Sequence, residues 1–155
     1  MTTPDLTRRL KPSVHIANSS EDFARLAADV VTRQLGARSD SVLALPTGAT
    51  PLPLYAELAR RCAENVVSFS EAHSFNLDEY VGLDPDHRSS YHAYMVEHFF
   101  SKVDVDMANV QIPNGLADDL EGECARYERA IASLGGLDLA VVGLGVNGHL
   151  GFNEP

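Results

Sequence analysis

A chain of 155 residues falls within the ~100–200 residues of one domain, long enough to bury its own core. With 45% hydrophobic and 22% charged residues it has an ordinary globular composition, which excludes disordered, collagen-like and coiled-coil classes. The 12 Lys+Arg against 22 Asp+Glu leave a net charge of −10, the wrong sign for a surface that neutralises DNA or RNA phosphates, so no nucleic-acid partner is expected.

Residues 1–12 hold no apolar segment of the signal-peptide kind, and no run of ~18 apolar residues occurs anywhere, so neither a secretory leader nor a membrane span is expected. Cys62 and Cys124 lie far apart without C-x-x-C spacing and read as reduced thiols, which makes the cytosol the expected address. Val14-His15-Ile16-Ala17 predicts a first strand. Asn18-Ser19-Ser20 then caps a helix whose Phe23, Leu26, Ala27, Val30, Val31 and Leu35 recur at helical spacing up to Gly36. Ser41-Val42-Leu43-Ala44-Leu45 predicts a second strand. It leads into Pro46-Thr47-Gly48-Ala49-Thr50-Pro51, with Thr50 as N-cap and Pro51 as the first residue of the next helix.

A third strand is expected at His73-Ser74-Phe75-Asn76-Leu77, then a polar loop, an amphipathic run over 90–100, and a helix over 118–134 with Asp118 and Glu121 in capping-box spacing. Leu137 to Val142 is the most apolar strand and should be central in its sheet. Strands alternating with helices, some apolar on both faces, predict an α/β fold of Rossmann-like type: a parallel sheet covered by helices on both faces. Only thirteen residues follow the last strand, where a central strand needs neighbours on both sides. The expectation is therefore one α/β domain over 1–155 that is incomplete at its C-terminus, the N-terminal portion of a longer domain.

Several strings point to chemistry. Gly143-x-Gly145-x-x-Gly148 after a strand has the form of a dinucleotide fingerprint, but the following helix and the acidic residue ~20 positions on are missing, so no nicotinamide or flavin cofactor is expected. The strand-to-helix loop at Thr47, Gly48, Ala49 and Thr50 offers backbone N–H groups and hydroxyls to an anion without the Lys of a nucleotide P-loop. Asp78-Glu79 closes the third strand, where carboxylates face the ligand crevice and one of them can act as a general base. His149, flanked by Asn147 and Glu154 in a glycine-rich loop, has the makings of an acid–base shuttle. His87, His92 and His98 lack zinc-ligand spacing and Asp84-x-Asp86 is too short for a calcium loop, so no metal is expected.

Four strings taken together, Leu45-Pro46-Thr47-Gly48-Ala49-Thr50-Pro51, Phe75-Asn76-Leu77-Asp78-Glu79-Tyr80-Val81-Gly82-Leu83, Ser90-Tyr91-His92 and the run from Gly143-Leu144-Gly145 to Asn153-Glu154-Pro155, resemble the glucosamine-6-phosphate deaminase family in order and approximate spacing. The resemblance implies conversion of a phosphorylated amino sugar to fructose 6-phosphate and ammonia without a cofactor. It places proton transfer between C2 and C1 on Asp78 and ring opening on His149, with Asn147 and Glu154 orienting the imidazole. The phosphate would lie against Thr47, Gly48, Ala49 and Thr50, with Gly145 on the substrate side. Some family members carry aspartate where this chain has Asn147; an amide accepts a hydrogen bond but supplies no negative charge, so ring opening should lean on Glu154. The resemblance also leaves open a homo-oligomer, a galactosamine-6-phosphate deaminase, a 6-phosphogluconolactonase-like hydrolase and a non-catalytic sugar-phosphate-binding fragment.

Overall fold

A computed structural model describes residues 13–155; the reading of residues 1–12 lies outside them. Four helices and four strands follow one another: α1 (Ser20–Ala37), β1 (Val42–Leu45), α2 (Leu52–Ala63), β2 (His73–Asn76), α3 (Tyr91–His98), β3 (Val110–Gln111), α4 (Leu120–Ser133) and β4 (Leu139–Ala140). The strands form one parallel sheet in the order β3-β2-β1-β4. Leu43 and Leu45 of β1 pack into a cluster with Val31 and Leu35 of α1, Leu54, Tyr55 and Leu58 of α2 and Met95 of α3. Each such aliphatic side chain contributes roughly 1.5–3 kcal/mol on burial. Because side chains alternate along a strand, Phe75 points to the opposite face, where Tyr127 of α4 meets it edge-on at 5.4 Å. Helices thus cover both faces, as the strand–helix alternation predicted.

Local chemistry explains the helix ends. Ser19 accepts from the Asp22 N–H at 3.1 Å to start α1, and Ser90 accepts from the Ala93 N–H at 2.9 Å to start α3. Two expected caps are displaced. Pro51, in helical conformation, occupies the cap of α2 without a side-chain cap bond, so Thr50 caps nothing. Asp119 rather than Asp118 caps α4, accepting from the Gly122 N–H at 2.9 Å, while Glu123 accepts from the Asn114 N–H. The two-residue β3 was not expected from the sequence, being too short to show a period.

Two strand expectations are overturned. Val14 and Ile16 are 84% and 82% exposed and pair with nothing, because no described strand lies beside them. In the sheet of the described residues the strand after Gly136 is not central: β4 comprises Leu139, partly buried, and Ala140, exposed, at the edge beside β1. Its lead-in is nonetheless fixed, since Asp138 accepts from the Val42 N–H at 2.8 Å and pairs with Arg38 at 2.7 Å. Cys62 is partly buried and donates to Asp104 at 3.2 Å; Cys124 is exposed, and both are free thiols. No helix among the described residues is long and apolar enough to cross a membrane.

Candidate active site

Parallel strands deliver their C-terminal ends to one edge of the sheet, where ligands of α/β folds bind. Here β1 delivers residues 46–51, β2 delivers 77–82 and β4 delivers 141–154. Pro46, Thr50 and Pro51 share a cavity with Val141, Val142 and Gly143, so the first and third loops adjoin. Asn76, buried at the end of β2, donates to the Leu45 carbonyl at 3.1 Å and joins the first loop to the second.

The loop after β1 turns on Gly48, whose φ of +97° belongs to the left-handed region that glycine enters without strain. It is braced from beneath: Tyr55 donates to the Pro46 carbonyl, and Tyr94 to the Gly48 carbonyl at 2.5 Å. Burial pushes the Tyr94 phenol up to about 12, so it stays a donor. The backbone N–H groups of Thr47, Gly48, Ala49 and Thr50 donate to no backbone carbonyl among the described residues. Such unspent N–H groups just ahead of α2 form an anion cradle of backbone character.

The two carboxylates after β2 have different surroundings. Glu79 accepts from the Tyr80, Tyr91 and His92 N–H groups at 2.7, 2.9 and 3.0 Å. Asp78 is half-buried, and burial first, then the charge of Glu79, raise its proton affinity above the usual carboxylate range. A carboxylate with raised proton affinity and no hydrogen bond to lower it is suited to act as a general base.

The glycine-rich loop assembles the imidazole. Asn147 Nδ2 lies 2.6 Å from Glu154 Oε2, and His149 Nδ1 lies 2.6 Å from Asn147 Oδ1. A carboxylate only accepts, so Asn147 donates to Glu154 and turns its oxygen toward His149; Nδ1 must then carry the proton, which leaves the Nε2 lone pair of the neutral ring free. Glu154 itself stays 3.8 Å from the ring. The amide therefore relays the orientation that the sequence assigned to Asn147 and Glu154. Gly145, expected on the substrate side, lies beneath the imidazole, so close that any side chain there would collide with the ring. The glycine spacing serves the histidine.

The three loops converge. A Cβ added at Gly151 would lie 3.1 Å from Asp78 Oδ2, and Phe152 packs against Tyr80 and Tyr91 at 5.4 and 5.8 Å between centroids. The Tyr91 hydroxyl reaches Tyr80 at 3.2 Å, with the Thr47 side chain nearby. Tyr80, Tyr91 and Tyr94 were not singled out from the sequence. Their signal was there, in two aromatic residues three apart on the first turn of α3 and a third beside the acidic pair. No cluster of three or more potential metal ligands occurs among the described residues.

Comparison with known proteins places the chain in a family. Residues 16–151 match the family model of glucosamine-6-phosphate isomerases/6-phosphogluconolactonase. A glucosamine-6-phosphate deaminase of Thermoanaerobacter sp. (strain X514) is 46% identical over 142 residues, covering 92% of this chain and 56% of the relative. The deaminase of Geobacillus sp. (strain WCH70) is 48% identical over 139 residues, 90% of this chain and 55% of the relative. This chain thus spans about half the length of these curated relatives. Among solved structures, a monomeric glucosamine-6-phosphate deaminase superposes with a TM-score of 0.85 at 44% identity, covering 88% of this chain and 57% of that one. A 6-phosphogluconolactonase of Thermotoga maritima superposes with a TM-score of 0.72 at 26% identity, over 88% and 61%. By sequence match and by superposition, the chain belongs to the glucosamine-6-phosphate isomerase/6-phosphogluconolactonase family.

Proposed function

We propose that this chain carries the catalytic residues of a glucosamine-6-phosphate deaminase, converting glucosamine 6-phosphate to fructose 6-phosphate and ammonia in the cytoplasm. The observation that supports it most is an uncommitted carboxylate, Asp78, against which Gly151 of the His149 loop packs, together with an imidazole whose free nitrogen is fixed by the Asn147–Glu154 relay. The N–H groups of Thr47, Gly48, Ala49 and Thr50 receive the phosphate. His149 Nε2 takes the proton of the anomeric hydroxyl and passes it to the ring oxygen, opening the pyranose to the aldehyde. Asp78 removes the C2 proton, giving an enolamine, and returns a proton to C1. The resulting C2 iminium adds water and expels ammonia, leaving the ketone of fructose 6-phosphate. Every step is proton transfer or hydration, so the chemistry needs neither a redox cofactor nor a metal.

Identity of 44–48% to deaminases against 26% to the lactonase favours the amino sugar. The test is ammonia release from glucosamine 6-phosphate, with galactosamine 6-phosphate and 6-phosphogluconolactone alongside. It is run on the chain and on the chain joined to the C-terminal part of the Thermoanaerobacter relative that lies beyond the match. Ammonia from glucosamine 6-phosphate is the expected result. Ammonia from neither form, or lactone hydrolysis alone, overturns the proposal, and preference for the galacto sugar reassigns the epimer.

A further inference from the structure

Helix α3 begins with N–H groups that have no partner inside the helix, the situation of every helix start. Ser90 accepts one of them, that of Ala93, through its hydroxyl. The two preceding ones, of Tyr91 and His92, are accepted by Glu79, which lies 12 residues earlier at the end of β2 and also accepts the N–H of Tyr80. Three charge-assisted bonds on one carboxylate, at the positive end of a helix, form a strong local restraint. Tyr91, the first residue of α3, transmits it. Its ring lies 4.8 Å from that of Tyr80 and 5.8 Å from that of Phe152, and its hydroxyl bonds to Tyr80 with Thr47 within reach. One residue of the second loop thereby fixes an aromatic plate touching all three loops.

We propose that Glu79 is a positioning residue of this site: its carboxylate clasps the start of α3, holds the Tyr91 ring against Tyr80 and Phe152, and leaves Asp78 as the uncommitted carboxylate of the pair. The inference rests on Asp78 as the proton-transfer group and adds what keeps it in place. Glu79 itself is assigned no chemistry, because both of its oxygens are engaged by backbone N–H groups.

The test compares Glu79→Ala and Glu79→Gln with the wild type, using amide hydrogen exchange at residues 80, 91 and 92 and deaminase kinetics. The alanine variant should exchange faster at Tyr91 and His92 while Leu43 and Phe75 stay protected, and its kcat should fall about 10–10²-fold with less change in KM. The glutamine variant keeps one accepting oxygen, so it should protect Tyr91, lose His92 and recover most of kcat. Unchanged exchange in Glu79→Ala overturns the clasp. Altered exchange with wild-type kcat overturns the positioning role. Altered exchange with no ammonia from the wild type, either alone or joined to the relative's C-terminal part, upholds the clasp and overturns the deaminase reading instead.

Discussion

The two parts of the chain on either side of Phe100 solve different problems. Every buried residue among those described lies between Ala24 and Phe100, where β1 is enclosed along its whole length. After Phe100 none is buried, although β4 and the loop that follows are as apolar as β1: Val142 is 50% exposed, Leu144 77% and Val146 108%. Apolar sequence supplies the capacity for burial, and neighbours decide whether it is realised; β1 has β2 and β4 beside it, whereas β4 has β1 alone. The candidate site straddles this divide. Asp78 and the Thr47 loop stand on the packed part, and His149, Asn147 and Glu154 on the other, joined to it through Gly151, Phe152 and the ring of Tyr91.

The largest expected effect is chemical and sits on the packed side. Asp78→Asn should reduce ammonia release roughly 10²–10⁴-fold, the usual range for a lost general base. The melting temperature should not fall, because the carboxylate accepts no hydrogen bond that the amide would break and burial already opposes its charge. Deamination rate and thermal melting on the same preparation check both halves; near-normal turnover would remove Asp78 from the mechanism.

The same deletion made on each side tests the divide itself. Leu45→Ala removes a buried side chain from a closed cluster and should cost about 2–5 kcal/mol in urea denaturation. Val142→Ala, of similar character but half exposed, should stay within about 0.5 kcal/mol. A cost at Val142 comparable to that at Leu45 would show β4 covered in solution and break the comparison.

Legibility in the sequence did not follow the same divide, since α4 beyond Phe100 was read as well as α1 before it. The helices α1 and α2 could be read because one buried face leaves a helical period, β1 because burial on both faces leaves a continuous apolar run, and Ser19 because a cap needs a side-chain oxygen at one place. Val14 and Ile16 misled, since a strand-like pattern states a capacity to pair and names no partner. The site fared better in its chemistry than in its mechanics. Asp78, His149, Asn147 and Glu154 were visible as reactive types at loop positions after strands, and the structure brings them to one edge. Glu79 as a clasp was not visible, because its partners are backbone N–H groups 12 residues away, on which the sequence is silent.

On the exposed side, geometry should matter to activity more than to stability. Gly145→Ala places a methyl group where the His149 ring lies, so the imidazole must swing away from Asn147 Oδ1. A shift of that size should cost about 10²-fold in turnover. Because residues 143–149 contribute nothing buried, the denaturation midpoint should not move. A fall in stability matching the fall in rate would mean that this loop is part of the cooperative core.

The smallest effect separates the two sides by acid. Glu57 accepts from Arg60 and Arg61, which hold it down to about 2; Arg61 is buried between α1 and α2 and also pairs with Asp29 at 2.8 Å. A carboxyl depressed in the folded state stabilises above its unfolded value and loses that contribution as pH falls from about 4.5 towards 2. Glu57→Gln should therefore lower stability by about 1 kcal/mol at neutral pH and flatten the acid limb, the modest figure reflecting Arg60 in solvent and Asp29 still paired. Glu123 is held down to about 2 as well, by Arg126 and the Asn114 N–H, but on α4, which has no buried residue. Glu123→Gln should leave the global acid transition in place and loosen α4 alone, seen as faster amide exchange at Asn114. A shared shift of the global transition in both variants would show that the chain unfolds as one unit across Phe100.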